Sequence, residues 1–463
     1  MLTYDLERRG DLPRYDYLYR CIKEDILSGR LSAGEKLPSK RALARHLETA
    51  VVTVENAYAQ LVAEGYLRPE AKRGYFVGAV ESRTVFPREE EAWEAEAADG
   101  EDWLLDLRSG GSGTEGFPFS VWARLMRRVL TEEGEKLMGA MPHSGVHELR
   151  RALARHIYQF RGISVHPEQI VVGAGTEYLD NLIVQLLGRD RVYGVEDPGY
   201  SKAARVYALS GARCAFIPVD GQGIDPAAVA DSGAQVIHIS PNHQFPTGAV
   251  TPIGRRQGLL RWAEERPERY IIEDDYDSEF RFTGCPIPTL KSIDRWDRVI
   301  YTNTFSRVLA PSLRIGYMVL PRTLVEDYQR KLGFYACTVP AMEQYTLAHF
   351  LNEGHFESHV NRMRAFYRGR RDAVLEAIQR SALAERCQAL RENAGLHFVL
   401  RLDTGRPDGE LARLAEARGI RLSFLTDYQQ EEGSAPPHTL VVNYPGVDLE
   451  HLGQALEILA ELL

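Results

Sequence analysis

The chain has 463 residues, 44% hydrophobic and 26% charged, with a formal net charge of -9; this length implies two or three domains of ordinary globular composition. Its five cysteines (Cys21, Cys214, Cys285, Cys337, Cys387) are scattered and include no Cys-x-x-Cys, which excludes a disulfide framework or a cysteine zinc site and suits a reducing cytosol. No apolar run reaches the ~18 residues of a membrane span, and the N-terminal MLTYDLERRGDLPRYDY lacks the apolar stretch of a signal peptide, so a cytoplasmic protein with no membrane partner is expected.

The charge is unevenly spread. Residues 1–78 hold 13 Lys+Arg against 11 Asp+Glu, whereas 79–105 hold 2 against 9, so global acidity does not exclude nucleic acid as a partner of the head. In chain order, residues 14–28 place Tyr15, Leu18, Ile22, Ile26 and Leu27 on one helical face, and Gly29 stops that helix. Ser39 stands at an N-cap position before a short helix carrying Leu43 and Leu47. After a break at 48–50, the spacing Val54, Tyr58, Leu61 predicts a second helix, and 65–78 read as a two-stranded wing with Lys72 and Arg73 at its tip. Helix, helix-turn-helix and basic hairpin together form the plan that lays one helix in a major groove.

Residues 79–104 read as an acidic linker. From 105 to 320, the runs QIVVGAG, RVYGVED, AQVIHIS, RYIIEDD and RVIYTNT alternate with amphipathic stretches and predict buried parallel strands of an α/β domain. From 321 to 463, long amphipathic helices lead into strands such as LHFVLRL and TLVVNYPG, an α+β region forming a smaller C-terminal lobe. Within GAGTEYLDNLI, Gly175 and Thr176 open a helix directly after the strand QIVV, where first-turn amides favour a phosphate.

Through LPSKRALARHL, TVENAYAQLVAEGYL and KRGYFV, residues 12–78 resemble the GntR family of winged-helix regulators. The resemblance implies double-stranded operator DNA as partner. It places Ser39, Lys40 and Arg41 at phosphates, Thr53 on the recognition helix, and Lys72 and Arg73 near the backbone or minor groove. In that family the recognition helix usually opens with Ser-Arg. Here Ala50 and Val51 stand instead, which removes a bidentate guanine reader.

Four further segments, VEDPGYSKAARVY, SPNHQFPTG, IIEDDYDSEFRF and TNTFSRVLAPSLRIGY, resemble fold-type I aminotransferases, and with the head they resemble the MocR group. The resemblance implies a mainly parallel large-domain sheet, pyridoxal 5'-phosphate as cofactor, and a homodimer. It implies Asp274 beside the pyridine nitrogen, Tyr276 on the phenolic oxygen, Tyr200 stacked on the ring, and Arg314, with Ser306 near it, on the phosphate. His243 is either a residue facing the ring or a satisfied loop histidine.

One position departs. The Schiff-base lysine of the family's TFSK is Arg307 here. Arginine stays protonated and cannot act as an amine nucleophile. No lysine lies within SRVLAPSLR, and the late strand HTLVVNYPGV lacks the usual arginine for a substrate carboxylate, a role open to Lys202 or Arg421. The expected protein is therefore a DNA-binding regulator whose effector is non-covalently bound pyridoxal phosphate or a B6–amino acid adduct. The rivals are an aminotransferase with an appended DNA-binding head, and a constitutive DNA binder with a purely dimerising body.

Overall fold

The computed structural model describes residues 2–10, 12–79, 103–108, 116–282, 287–391, 393 and 395–463. The chain divides into two compact units, Met1–Gly100 and Glu101–Leu463. Nearly all of the linker expected at 79–104 falls outside the described residues.

In the first unit, helices α1 (Arg14–Leu27), α2 (Lys40–His46) and α3 (Val51–Ala63) precede a hairpin of β1 (Leu67–Glu70) and β2 (Gly74–Val77), with Leu67 opposite Val77. The apolar spacing on α1 and α3 brings Leu18, Ile22, Val54, Tyr58 and Leu61 into one fully buried core with Leu43. Truncating any one of these leucines to alanine costs about 2–5 kcal/mol, a large share of the stability of so small a unit. The Ser39 hydroxyl caps α2 by accepting from the Ala42 amide at 3.2 Å.

Two members of the expected α1 face are misplaced. Tyr15 is 43% exposed, and Asp25 takes a buried place on that face, accepting from the Tyr4 hydroxyl at 2.7 Å. At about 100° per residue, Leu27 lies roughly half a turn round the helix from Leu18, whereas Tyr15 falls within the arc that the buried residues share but stands in the first turn of the helix, where it stays exposed.

The second unit is built on an eight-stranded sheet. Its strands are β3 (Ile170–Gly173), β4 (Val192–Asp197), β5 (Arg213–Asp220), β6 (Gly223–Ile224), β7 (Val236–Ile239), β8 (Tyr270–Asp274), β9 (Val299–Thr304) and β10 (Gly316–Val319). They lie in the order β3-β10-β9-β8-β7-β4-β5-β6. The five strands β9, β8, β7, β4 and β5 run parallel. β10 runs antiparallel to both β9 and β3, and β6 returns antiparallel from β5. The sheet is thus mixed around a parallel centre, and burial on both faces explains the Val/Ile runs of its central strands. QIVVGAG is a strand as expected, but its neighbour is the antiparallel β10, which sequence periodicity did not reveal. GYMV is a four-residue buried run, too short to separate from helix by pattern.

Two helices follow strands directly: α4 (Thr176–Leu187) after β3 and α5 (Ser201–Leu209) after β4. In such sheets, ligands bind beyond the carboxyl ends of the strands. The C-terminal lobe contains α6 (Ala341–Asn352) and α7 (His355–Arg380), separated at Gly354, and a three-stranded antiparallel sheet of β11 (Cys387–Leu390), β12 (Phe398–Leu402) and β13 (Thr439–Val442). Leu105–Asp106, expected to open the large domain, pairs parallel with Ile420–Arg421 of this lobe. The Arg108 Nε donates to the Leu422 carbonyl at 2.7 Å, and the Asn443 side chain donates to the Leu107 carbonyl at 2.9 Å. The C-terminal lobe therefore takes in the first residues of the unit.

Candidate cofactor pocket and DNA-binding face

A cavity of about 300 Å³ opens at the carboxyl ends of the parallel strands. Thr176 and Glu177 reach it from the first turn of α4, Tyr200 from the turn after β4, Asp274 and Tyr276 from the end of β8, and Thr304, Ser306 and Arg307 from the end of β9. Arg314 completes it from the turn before β10. Thr176, Tyr200, Asp274, Tyr276, Ser306, Arg307 and Arg314, all singled out in the sequence, thus meet in one cavity although they are drawn from widely separated segments.

One end of the cavity is suited to an anion. Gly175 has φ +94°, and a Cβ there would run into the Arg314 guanidinium, so only glycine lets the two approach. Arg314 itself sits in the left-handed region at φ +49°, an uncommon conformation for a long side chain. Its Nη2 donates to Glu177 Oε2 at 2.7 Å, and Lys202 Nζ lies 3.7 Å from Glu177 Oε1. Burial alone would raise the Glu177 carboxyl, but its own backbone amide and these two cations hold it below the usual range. The Thr304 and Ser306 hydroxyls are 3.1 Å apart beside them.

The other end offers a carboxylate. Asp274 is 9% exposed, and its Oδ1 is buried with no hydrogen-bond partner. Its Oδ2 lies 3.9 Å from His238 Nε2, and His238 Nδ1 is 2.5 Å from the Tyr207 hydroxyl and 3.8 Å from Asp180. Burial would lower His238, yet the Asp180 and Asp274 carboxylates outweigh it and raise it. The Tyr276 hydroxyl donates to the His243 carbonyl at 2.9 Å. Burial pushes the Tyr200 hydroxyl up to about 12, helped by Glu177 and Asp274 and opposed by the charge of Arg307. Burial and Asp277 likewise push Tyr276 well above its ordinary value, with Arg307 again opposing.

His243 does not line this cavity. Its Nδ1 lies 2.8 Å from Asp277 Oδ2, and its ring centroid is 4.5 Å from that of His397, which belongs to the C-terminal lobe. His243 and Asp277 flank a separate cavity of about 20 Å³. Arg421 also lies elsewhere, 3.5 Å from Asp106 and against the Trp103 ring. Sequence reasoning missed Glu177 and His238 and left Lys202 as a guess. Glu177 follows Thr176 and Lys202 stands two residues after Tyr200, so proximity to the expected residues was the signal available.

In the head, Arg41, Arg45, Lys72 and Arg73 are exposed, and Thr53 is half-buried at the start of α3. The Lys40 ammonium is engaged, 2.6 Å from Glu55 Oε1, and that carboxylate raises it. Lys72 holds the hairpin turn at φ +61°, and Arg73 Nη1 lies 2.6 Å from Glu70. Ser39 keeps its hydroxyl on the α2 amide, while Arg41, Arg45 and the wing cations stay exposed.

Comparison with known proteins agrees with both halves. Residues 14–77 match the family described as bacterial regulatory proteins, gntR family, and residues 105–433 match aminotransferase class I and II. The chain is 37% identical over 459 residues to the "Uncharacterized HTH-type transcriptional regulator YdeL" of Bacillus subtilis (strain 168), covering 98% of each chain. It is 32% identical over 469 residues to the "Probable rhizopine catabolism regulatory protein MocR" of Rhizobium meliloti, covering 98% of this chain and 94% of that one. Among solved structures, LysN, the alpha-aminoadipate aminotransferase of Thermus thermophilus complexed with N-(5'-phosphopyridoxyl)-L-leucine, matches with a TM-score of 0.67 and 27% identity over 78% of this chain and 92% of that chain. GntR-type heads bind DNA, and the aminotransferase family implies pyridoxal phosphate as its cofactor. No helix among the described residues is long and apolar enough to cross a membrane. The chain belongs to the MocR-type transcription regulators, in which a GntR-family DNA-binding head precedes a class I and II aminotransferase domain.

Proposed function

We propose that the second unit is a sensor that holds pyridoxal 5'-phosphate, or an adduct of a B6 vitamer with an amino acid, without a covalent bond, and that its occupancy changes how the head binds operator DNA. The observation that carries this reading is the pairing, in one cavity, of an unsatisfied buried carboxylate oxygen on Asp274 with arginine at position 307. A buried acceptor without a partner needs an explanation, and a pyridinium N–H supplies one.

The donor set fits the cofactor. Thr176, Ser306, Arg314 and the first-turn amides of α4 receive its phosphate. Asp274 keeps the ring nitrogen protonated, with His238 behind it. Tyr276 and Tyr200, both lining the cavity, would hold the phenolic oxygen and the ring face respectively. When bound, the group supplies an electron-accepting ring and an aldehyde. Arg307 contributes a fixed positive charge beside them and offers no amine to attack the aldehyde. The LysN complex, whose ligand is a phosphopyridoxyl amino acid, gives the adduct form of the effector its precedent in this fold. The same likeness favours a homodimer, for which exposed Phe119, Leu130, Met138 and Phe334 supply apolar surface.

One observation favours a rival reading. Lys202 lines the cavity and is the one amine among the described lining residues, so an aminotransferase using that lysine is the alternative. Measuring operator affinity with and without saturating pyridoxal phosphate tests the proposal. We expect a change of at least ~5-fold, the lower end of typical coupling between sites. Unchanged affinity would leave a constitutive DNA binder. Turnover of an amino acid and a 2-oxo acid would establish the rival.

A further inference from the structure

In a helix-turn-helix, base contacts come from the first turns of the recognition helix. Here that turn carries Val51, Val52 and Thr53. Val51 is 43% and Val52 58% exposed; among the described residues of the head, the only other exposed large apolar side chain is Tyr15. The inner stripe of α3 is already complete, with Val54, Ala57, Tyr58 and Leu61 all at 0% exposure. Val52 lies about 160° round the helix from Val54, on the outer face. Val51 flanks the inner stripe, about 60° from Val54, yet remains 43% exposed, so packing does not account for Val52 and only partly for Val51, and helix propensity argues against β-branched residues there. Arg41 and Arg45 on α2, and Lys72 and Arg73 at the wing tip, are exposed cations of the same small unit, suited to phosphates on either side of a groove.

We propose that Val51 and Val52 read the C5-methyl groups of thymines in the major groove, so that the half-site is selected for thymine where the start of α3 meets it. The inference rests on the head binding DNA. Thymine is the one base of DNA that presents a methyl group in the major groove, and apolar side chains contact it there. Neither valine has a donor with which to recruit guanine O6 and N7. Burying each methyl against a valine removes apolar surface on both partners from water.

The test uses the full-length chain and a duplex selected from a randomised pool. The same duplex is then made with deoxyuridine in place of thymidine, which keeps the base pairing and removes only the methyl. We expect one or two adjacent thymines fixed in each half-site, and about a fourfold loss of affinity per methyl removed, the scale of one buried methylene. The Val51→Ser/Val52→Ser chain should bind the thymidine and deoxyuridine duplexes equally. Selected half-sites without fixed thymine, or equal affinity of the natural chain for the two duplexes, would overturn the inference. Salt-dependent binding of the parent duplex tests DNA binding separately, so the failure of one is distinguishable from the failure of the other.

Discussion

The head and the cofactor pocket each depart from the pattern they resemble, and they do so in the same way. In the head, Ala50 and Val51 replace the Ser-Arg that opens a typical recognition helix, while the buried Leu18, Val54, Tyr58 and Leu61 keep the three helices in place. In the pocket, Arg307 replaces the lysine, while Tyr200, Asp274, Tyr276 and Arg314 still line one cavity. Scaffold and chemistry are separable because they rest on different atoms. The scaffold depends on side chains removed from water, and the chemistry on a few side chains facing a groove or cavity. The regions differ in how charge is handled. The head leaves Arg41, Arg45, Lys72 and Arg73 exposed, whereas the body gathers the buried carboxylates Asp180, Glu196 and Asp274 around His238 and the cavity.

The most decisive way to break the comparison is to put the missing group back. Arg307→Lys should convert reversible binding into covalent attachment of pyridoxal phosphate, seen as a band near ~420 nm and, after borohydride, as a gain in chain mass. A colourless, unmodified variant would mean that the cavity does not bring the aldehyde to position 307.

The buried carboxylates predict a pH effect on stability. Glu196, at the end of β4, is raised to about 7 by burial, opposed by the Ser240 amide, His238 and Gln244. Its folded value exceeds its unfolded one, so its contribution is present at low pH and is lost as pH rises from about 4.5 toward 7. Glu196→Gln removes that dependence. The Tm of the variant relative to the natural chain should rise between pH 5 and 8, by an amount corresponding to a few kcal/mol. A pH-independent difference would show that Glu196 is ionised throughout.

Asp274→Asn should weaken pyridoxal phosphate binding by about 10- to 100-fold, the usual range for one charge-assisted hydrogen bond, as measured by calorimetry. Equal affinity would detach Asp274 from the ring nitrogen. The smallest effect belongs to the head, where Lys72→Ala with Arg73→Ala should weaken DNA binding similarly across sequences and lower the salt slope by about 1–2. Arg73 already shares its charge with Glu70, which holds the slope change toward the lower figure. An unchanged slope would place the wing away from the backbone.

Local pattern carried much of this architecture. Helical spacing revealed α1 and α3, a turn between extended runs revealed the wing, and Val/Ile runs revealed the central strands. Asp274 and Tyr276 were singled out by the resemblance of IIEDDYDSEFRF to the aminotransferase family, whereas Thr176 could be read from the pattern because it opens a helix directly after a strand. What pattern missed was long-range. Nothing near Leu105 signals that it pairs with Ile420, and β5, near the sheet's edge, shows neither alternation nor continuous burial. His238 sits inside β7 as an ordinary strand residue until the fold brings Asp180 and Asp274 to it from α4 and β8. His243, in a recognisable loop, turned to Asp277 and His397 and away from the main cavity, a choice made by the C-terminal lobe packed against it. Lys202 shows the same limit: sequence distance from Arg307 hid an amine that shares its cavity.

The central claim is that this pocket grips a B6 ligand without tethering it. Saturating the full-length protein with pyridoxal phosphate, treating it with borohydride, and weighing the intact chain beside an untreated, dialysed sample tests this most directly. The account predicts near-stoichiometric binding by dialysis and no gain in chain mass after reduction. A reduced adduct mapping to Lys202 or any other lysine, or no bound ligand at all, would contradict it.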